Sequence, residues 1–240
     1  MQRSSSVQPF VQPSLARRVV SEGLGTAFLV ATVIGSGIMA ERLAGGNMAI
    51  ALAANTLATG AALVALILTF GPISGAHFNP AVTLAVAIER GLAWLDVPAY
   101  VLAQTIGGIA GAAIAHAMFA LPLYSLSTKV RHGEALVFSE FVATFGLLAV
   151  IWGCARSRPS VTPFAVAAYI TAAYWFTAST SFANPAVTIA RALTNTFSGI
   201  RPADAPAFIA AQIAGALAAT FLFRWLAPDL SVSRGHEEES

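Results

Sequence analysis

The sequence predicts an all-α membrane protein of six transmembrane helices plus two half-helices, arranged as an inverted repeat. Three observations lead there. The 240-residue chain is 57% hydrophobic and only 10% charged, against about 25% charged residues in a typical soluble domain. From Leu43 to Ile88 no Asp, Glu, Lys or Arg occurs, a run far longer than the ~20 apolar residues that cross a bilayer once. Finally, Asn79-Pro80-Ala81-Val82-Thr83-Leu84-Ala85 recurs as Asn184-Pro185-Ala186-Val187-Thr188-Ile189-Ala190, each copy set in uncharged apolar sequence.

Residues 1–18 read as a tail, polar through Ser14 and lacking a cleavage pattern, so the first apolar segment is expected to stay as a membrane helix. The six expected spans are 19–40, 48–70, 97–121, 135–155, 161–179 and 205–226. Two shorter apolar pieces remain, 80–88 and 185–193. Each would rise only ~13 Å as helix, less than half a membrane. In both, Asn stands at the N-cap and Pro at the first helical position, where its missing N–H is harmless. These are the half-helices. The first repeat therefore covers 19–121, a loop covers 122–134, the second repeat covers 135–226 and a tail covers 227–240.

The halves match beyond the two Asn-Pro-Ala motifs. Glu22 and Thr26 correspond to Glu140 and Thr144, and Ala103-Gln104-x-x-Gly107 corresponds to Ala211-Gln212-x-x-Gly215. Three spans per repeat force the second copy to insert upside down, so the two half-helices enter from opposite faces and meet end to end near the midplane. Arg17, Arg18, Arg90, Arg156, Arg158 and Arg224 fall on the side shared by both termini, against Arg42, Lys129, Arg131 and Arg201 on the other. That excess predicts cytoplasmic termini. The cations are scattered, which speaks against nucleic acid as a partner. The lone Cys154 offers neither a disulfide framework nor a metal set.

Each half-helix start carries roughly +0.5 of an elementary charge and unpaired N–H groups. The amides of Asn79 and Asn184 point to the same place, each able to donate two hydrogen bonds. Two facing dipole ends repel a cation yet offer donors to the oxygen of a neutral molecule. A passing hydroxyl must turn its oxygen toward the Asn pair, which breaks the donor order that a proton wire requires. Half-helix dipoles are a recognised device of this kind in water channels.

At these residues the chain resembles the aquaporin, or major intrinsic protein, family. Ser74-Gly75-Ala76-His77-Phe78-Asn79-Pro80-Ala81-Val82-Thr83 is similar to its first signature and Phe182-Ala183-Asn184-Pro185-Ala186 to its second. The resemblance runs from about Val19 to Leu226. It implies an aquaporin-like fold, a homotetramer with one pore per subunit in the inner (plasma) membrane, and passive transport of water or small neutral solutes, with no cofactor.

The chain departs from the family where an Arg usually follows the second Asn-Pro-Ala, for here Val187 stands. By family spacing the other selectivity-filter positions fall at Thr59, Ala172 and Ser181. Water-selective members are similar to Phe, His, Cys and Arg at these four places, and glycerol-conducting members carry Trp, Gly, Phe and Arg. The resemblance therefore implies a wide, neutral filter, partly lined by hydroxyls. Val in the Arg position resembles a bacterial aquaglyceroporin subgroup linked to arsenic resistance. Glycerol-like polyols and arsenite are the expected solutes, with organic arsenicals as larger candidates and water passing too.

Other residues keep two readings. Arg191 shares the face of Val187 one turn, about 5.4 Å, farther out, where it either leans over the outer mouth or, the plainer reading, snorkels or binds a loop carbonyl. His77 either lines the cytoplasmic vestibule or donates to a loop carbonyl. Phe78 and Phe182 either wall the pore or pack the half-helices. Glu22 and Glu140, as intramembrane carboxylates, raise the question of ion coupling; accepting hydrogen bonds from the loops that lead into the half-helices is the plainer role. His116 is expected to be a satisfied packing residue, and Gly107, Gly111 and Gly215 to let helices approach closely. The alternatives to a solute channel are a mainly water-conducting aquaporin and an ion-coupled secondary transporter, since inverted repeats also build the latter. An enzyme is not expected: Ser74 and His77 lack an orienting acid.

Overall fold

A computed structural model describes residues 13–227. The expected tails at 1–18 and 227–240, with Arg3 and Arg234, lie largely outside the described residues. Eight α-helices follow in order: α1 Leu15–Leu43, α2 Met48–Ser74, α3 Pro80–Ile88, α4 Val97–Met118, α5 Glu134–Ser157, α6 Thr162–Phe176, α7 Pro185–Arg191 and α8 Ala205–Leu226. Short 3-10 turns at Trp94–Asp96, Pro159–Val161 and Pro202–Asp204 lead into α4, α6 and α8. Five of the helices, α1, α2, α4, α5 and α8, are long and apolar enough to cross a membrane.

The sixth expected span, 161–179, is a shorter helix. α6 has 15 residues, ~22 Å of rise, and stops because Thr177 turns extended at φ −104°, ψ 136°. Thr180 and Ser181 then take left-handed φ of 62° and 49°, and the chain turns back toward α7. α7 itself ends at Arg191 rather than at residue 193, since Ile200 N–H bonds Arg191 O at 3.2 Å and pulls the chain off the helix axis.

The two-fold repeat is visible in the packing. α1 lies along α4 and α2, while α5 lies along α8 and α6. The half-helices cross over, so that α3 touches α8 of the other repeat and α7 touches α4. Close approach within each repeat depends on a glycine at equivalent positions. A Cβ on Gly107 would collide with Gly23 O, and one on Gly215 with Phe141 O. Outward faces are apolar: on α6 the exposed stripe includes Phe164, Trp175 and Phe176, and on α1 it includes Val20, Leu24 and Phe28. This is a multi-pass integral membrane protein.

Candidate functional site

Both Asn residues cap their half-helices as their sequence context predicts. Asn79 is extended (φ −154°, ψ 117°) and its Oδ1 accepts from Ala81 N at 2.9 Å. Asn184 is likewise extended (φ −157°, ψ 114°) and accepts from Ala186 N at 3.0 Å and Val187 N at 3.3 Å. Pro80 and Pro185 open the helices, and Ala81 and Ala186 are fully buried behind them. The amide nitrogens cross between repeats: Asn79 Nδ2 donates to Ala183 O at 2.7 Å, and Asn184 Nδ2 donates to Phe78 O at 2.8 Å. Phe78 and Ala183 present those carbonyls from left-handed backbone, φ 49° and 48°, a conformation uncommon outside glycine. Each amide keeps one further N–H, and both Asn residues line the central cavity.

Glu22 and Glu140 hold the loops that present those carbonyls. Glu22 is fully buried and accepts from Ser74 Oγ at 2.7 Å, His77 N at 2.9 Å, Phe78 N at 2.7 Å and Gln104 Nε2 at 2.7 Å. Glu140, also fully buried, accepts from Phe182 N at 2.9 Å, Ala183 N at 2.8 Å and Gln212 Nε2 at 2.6 Å. Neither oxygen pair faces the cavity, which is lined by other residues.

The cavity of about 280 Å³ passes both Asn residues. Toward the α5 C-terminus it is lined by Trp152, Ala155 and Thr162, together with His77. The His77 Nδ1 lies 3.1 Å from Thr83 Oγ1, which also accepts from Gln104 Nε2 at 2.8 Å. Toward the face carrying the 122–133 loop, the outer face in the predicted orientation, Thr59, Ser181, Val187 and Arg191 line the cavity. Ser181 Oγ is buried there without a protein partner. Of the two readings of the flanking rings, Phe182 lines the cavity and meets Phe208 edge-on at 5.3 Å, while Phe78 both lines it and packs edge-on against Phe70 at 6.0 Å.

Ala172 does not join the other filter positions. It is exposed, on the α6 stripe with Phe164 and Phe176, and the cavity is lined instead by Val166, Ile170 and Tyr174. Two residues are about 200° of helix, so Ala172 and Tyr174 face nearly opposite ways. Tyr174 Oη lies 3.3 Å from Thr59 Oγ1. The four counted positions carry neither an aromatic nor a charge, yet Tyr174 and Arg191 both line the cavity. Arg191 does not snorkel but binds a loop carbonyl, the other half of its plainer reading. It is only 2% exposed, its Nε donates to Ser198 O, and its guanidinium lies 3.3 Å from the Phe182 ring centroid. Sequence reasoning missed Tyr174 because fixed spacing was counted through a helix whose end turns early; the i, i+4 run Val166–Ile170–Tyr174 was the available signal.

The outer loop is folded into the mouth. Ser127 N donates to Ala192 O and Ser125 N to Leu193 O, both at 3.0 Å, and Arg201 N donates to Lys129 O at 2.8 Å. Arg131 donates to Gly199 O at 2.9 Å and Ser179 O at 3.0 Å. Burial and the nearby Arg131 and Arg191 push the Lys129 ammonium below its ordinary value. His116, at the inner edge of this loop, is satisfied as expected: Nδ1 lies 2.8 Å from Pro122 O and Nε2 lies 2.6 Å from Thr194 Oγ1.

Comparison with known proteins agrees with this geometry. The family model described as "Major intrinsic protein" matches residues 10–172 and 157–239. "Aquaglyceroporin AqpS" of Rhizobium meliloti (strain 1021) is 58% identical over 212 residues, 88% of this chain and 91% of that one. "Nodulin-26" of Glycine max is 38% identical over 170 residues, 69% of this chain and 59% of that one. In three dimensions, the X-ray structure of the aquaglyceroporin from Plasmodium falciparum superposes with a TM-score of 0.69 at 18% identity, covering 90% of this chain and 99% of that one.

Proposed function

As this chain belongs to the major intrinsic protein family, whose members are membrane channels, we propose that it is a passive channel for glycerol-like polyols and arsenite, with water and organic arsenicals as further solutes. The observation that carries the reading is the cavity past Asn79 and Asn184. Each amide there has one N–H bound across the repeat and one left for a solute oxygen, while the buried carboxylates are engaged by loop N–H groups outside the lumen. A neutral hydroxylated molecule fits such a wall, because it supplies acceptors without bringing a charge to be desolvated.

Asn79, Pro80, Ala81, Asn184, Pro185 and Ala186 are assigned to the central constriction. Thr59, Ser181 and Val187 are assigned to the outer filter, His77 to the inner vestibule and Glu22 and Glu140 to the scaffold. The missing Arg at Val187 supports the wide-filter, arsenite-conducting assignment. A homotetramer in the inner (plasma) membrane with both termini cytoplasmic is proposed on the family resemblance and the distribution of Arg. Arsenite, neutral near pH 7 and carrying three hydroxyls, resembles glycerol to this lining.

The test is solute uptake by reconstituted vesicles, comparing wild type with Val187→Arg. Wild-type vesicles take up glycerol and arsenite, and the variant loses the larger solutes while sparing water. Vesicles that swell with water but exclude glycerol and arsenite favour the mainly water-conducting alternative. Uptake that follows an imposed proton or sodium gradient favours the transporter.

A further inference from the structure

Family spacing places the outer constriction at Ala172 and Val187, which bring neither a ring nor a charge. Each has such a group further out on its own helix. α6 and α7 both run toward the outer face, with Tyr174 two residues past Ala172 and Arg191 four residues past Val187. Tyr174 is 3% and Arg191 2% exposed, and both line the central cavity. We infer that Tyr174 and Arg191 together form the selectivity element of this chain, an aromatic hydroxyl and a guanidinium displaced outward from the usual positions, which passes glycerol and holds back longer polyols. This rests on the channel reading above.

The hydrogen bonding around the two side chains supplies the complementary chemistry. The Thr59 hydroxyl donates to Asn55 O at 2.9 Å, so at its 3.3 Å contact with Tyr174 the tyrosine is the donor. Tyr174 Oη keeps its own lone pairs as acceptors. Arg191 spends Nε on Ser198 O, while Nη1 and Nη2 bond no protein atom and are not sealed from the cavity. Among the described residues it has no ion-pair partner: the nearby Glu140 is engaged by amides and Gln212, and Asp204 by Arg201 at 2.7 Å and Arg131 N at 2.9 Å. One wall thus accepts, the other donates and carries an unneutralised charge, and the unpartnered Ser181 Oγ lies on the same lining.

Arg131 acts through Phe182 as a positioning residue. Its guanidinium lies 5.0 Å from the ring centroid on which Arg191 stacks, and it bonds the carbonyls of Ser179 and Gly199, in the two segments that deliver Phe182 and Ser198. The loop at 122–133 thereby reaches the selectivity element without touching the solute.

The full-length protein, reconstituted into vesicles of phosphatidylethanolamine and phosphatidylglycerol, gives the ratio of xylitol to glycerol permeability by light scattering. Tyr174→Ala and Arg191→Ala each raise that ratio about tenfold, the scale of one lost hydrogen-bonding partner in discrimination. Ala172→Leu, on the outer stripe, leaves the ratio unchanged. If Arg191→Ala does not fold, Arg191→Lys replaces it, since an ammonium does not present the paired donor fork and the ratio rises in the same sense. Wild-type vesicles that exclude glycerol sink the channel reading and this inference with it. Wild-type flux with an unchanged ratio in the Tyr174 and Arg191 variants, or a collapse of glycerol flux in Ala172→Leu, overturns this inference alone.

Discussion

Replacing Glu22 by Gln removes one acceptor oxygen and introduces two N–H donors at a buried point where only donors converge. Oε1 of Glu22 accepts from Ser74 Oγ and His77 N, and Oε2 accepts from Phe78 N and Gln104 Nε2. With the amide nitrogen in place of Oε2, Gln104 can turn its amide over and accept through its unpartnered Oε1, so the bond from Phe78 N is the one lost. At about 1.5–3 kcal/mol for a bond to a charged group, the gross loss is about 1.5–3 kcal/mol. Relief from burying a full charge offsets part of it. Glu140 is a built-in comparison, since its Oε1 accepts only from Phe182 N. An amide nitrogen placed there likewise costs one bond, so Glu140→Gln loses a similar amount, roughly 1.5–3 kcal/mol gross. The assay is the unfolding midpoint of both variants in mixed detergent micelles, followed by helix content, with glycerol flux measured in parallel. Both variants are expected to unfold earlier than the wild type, by comparable margins. If either variant keeps full stability and changes only the response to a proton gradient, the scaffold argument fails.

Three further outcomes follow from the same geometry. Asn79→Asp keeps the cap acceptor for Ala81 N but loses the donor to Ala183 O, so glycerol flux falls and cation leak rises in vesicles; unchanged leak would count against the dipole-and-amide account of cation exclusion. Gly107→Ala and Gly215→Ala each force a methyl group into a backbone carbonyl of the neighbouring helix, costing about 1–3 kcal/mol of overpacking strain, read as earlier unfolding, whereas the same change at Gly71, which a Cβ would leave without contacts, does not. His116→Phe removes the contacts to Pro122 O and Thr194 Oγ1, at about 0.5–1.5 kcal/mol for each bond lost, seen as faster proteolysis of the outer loop.

The half-helices were legible because Asn-Pro at the head of a short apolar run admits one local solution, a cap followed by a proline that needs no N–H. Gly107 and Gly215 were legible for a similar reason: a residue without a Cβ, repeated at the same place in both halves, marks a close crossing. Ala172 was not, because spacing assumes that α6 keeps one register relative to Asn184. The segment between Phe176 and Asn184 contains three left-handed residues, Thr180, Ser181 and Ala183, and no local propensity announces them. The inward folding of 122–133 was also invisible, since its bonds to 191–201 join backbone atoms far apart in the chain. Arg191 lay between the two cases. Its helix face followed from periodicity, whereas its stacking on Phe182 depended on a loop that sequence alone did not place.

The exchange of amides between repeats bears on the order of biogenesis. Asn79 and Phe78 leave the ribosome more than a hundred residues before Asn184, yet their partners are Ala183 O and Asn184 Nδ2. Until the second repeat arrives, a donor and an acceptor of the first half have no mate in an apolar surrounding, where each unmet polar group is expensive. The first re-entrant segment therefore has no reason to seat itself early. It waits near water or inside the insertion machinery, and the last half to be synthesised closes the loops of both.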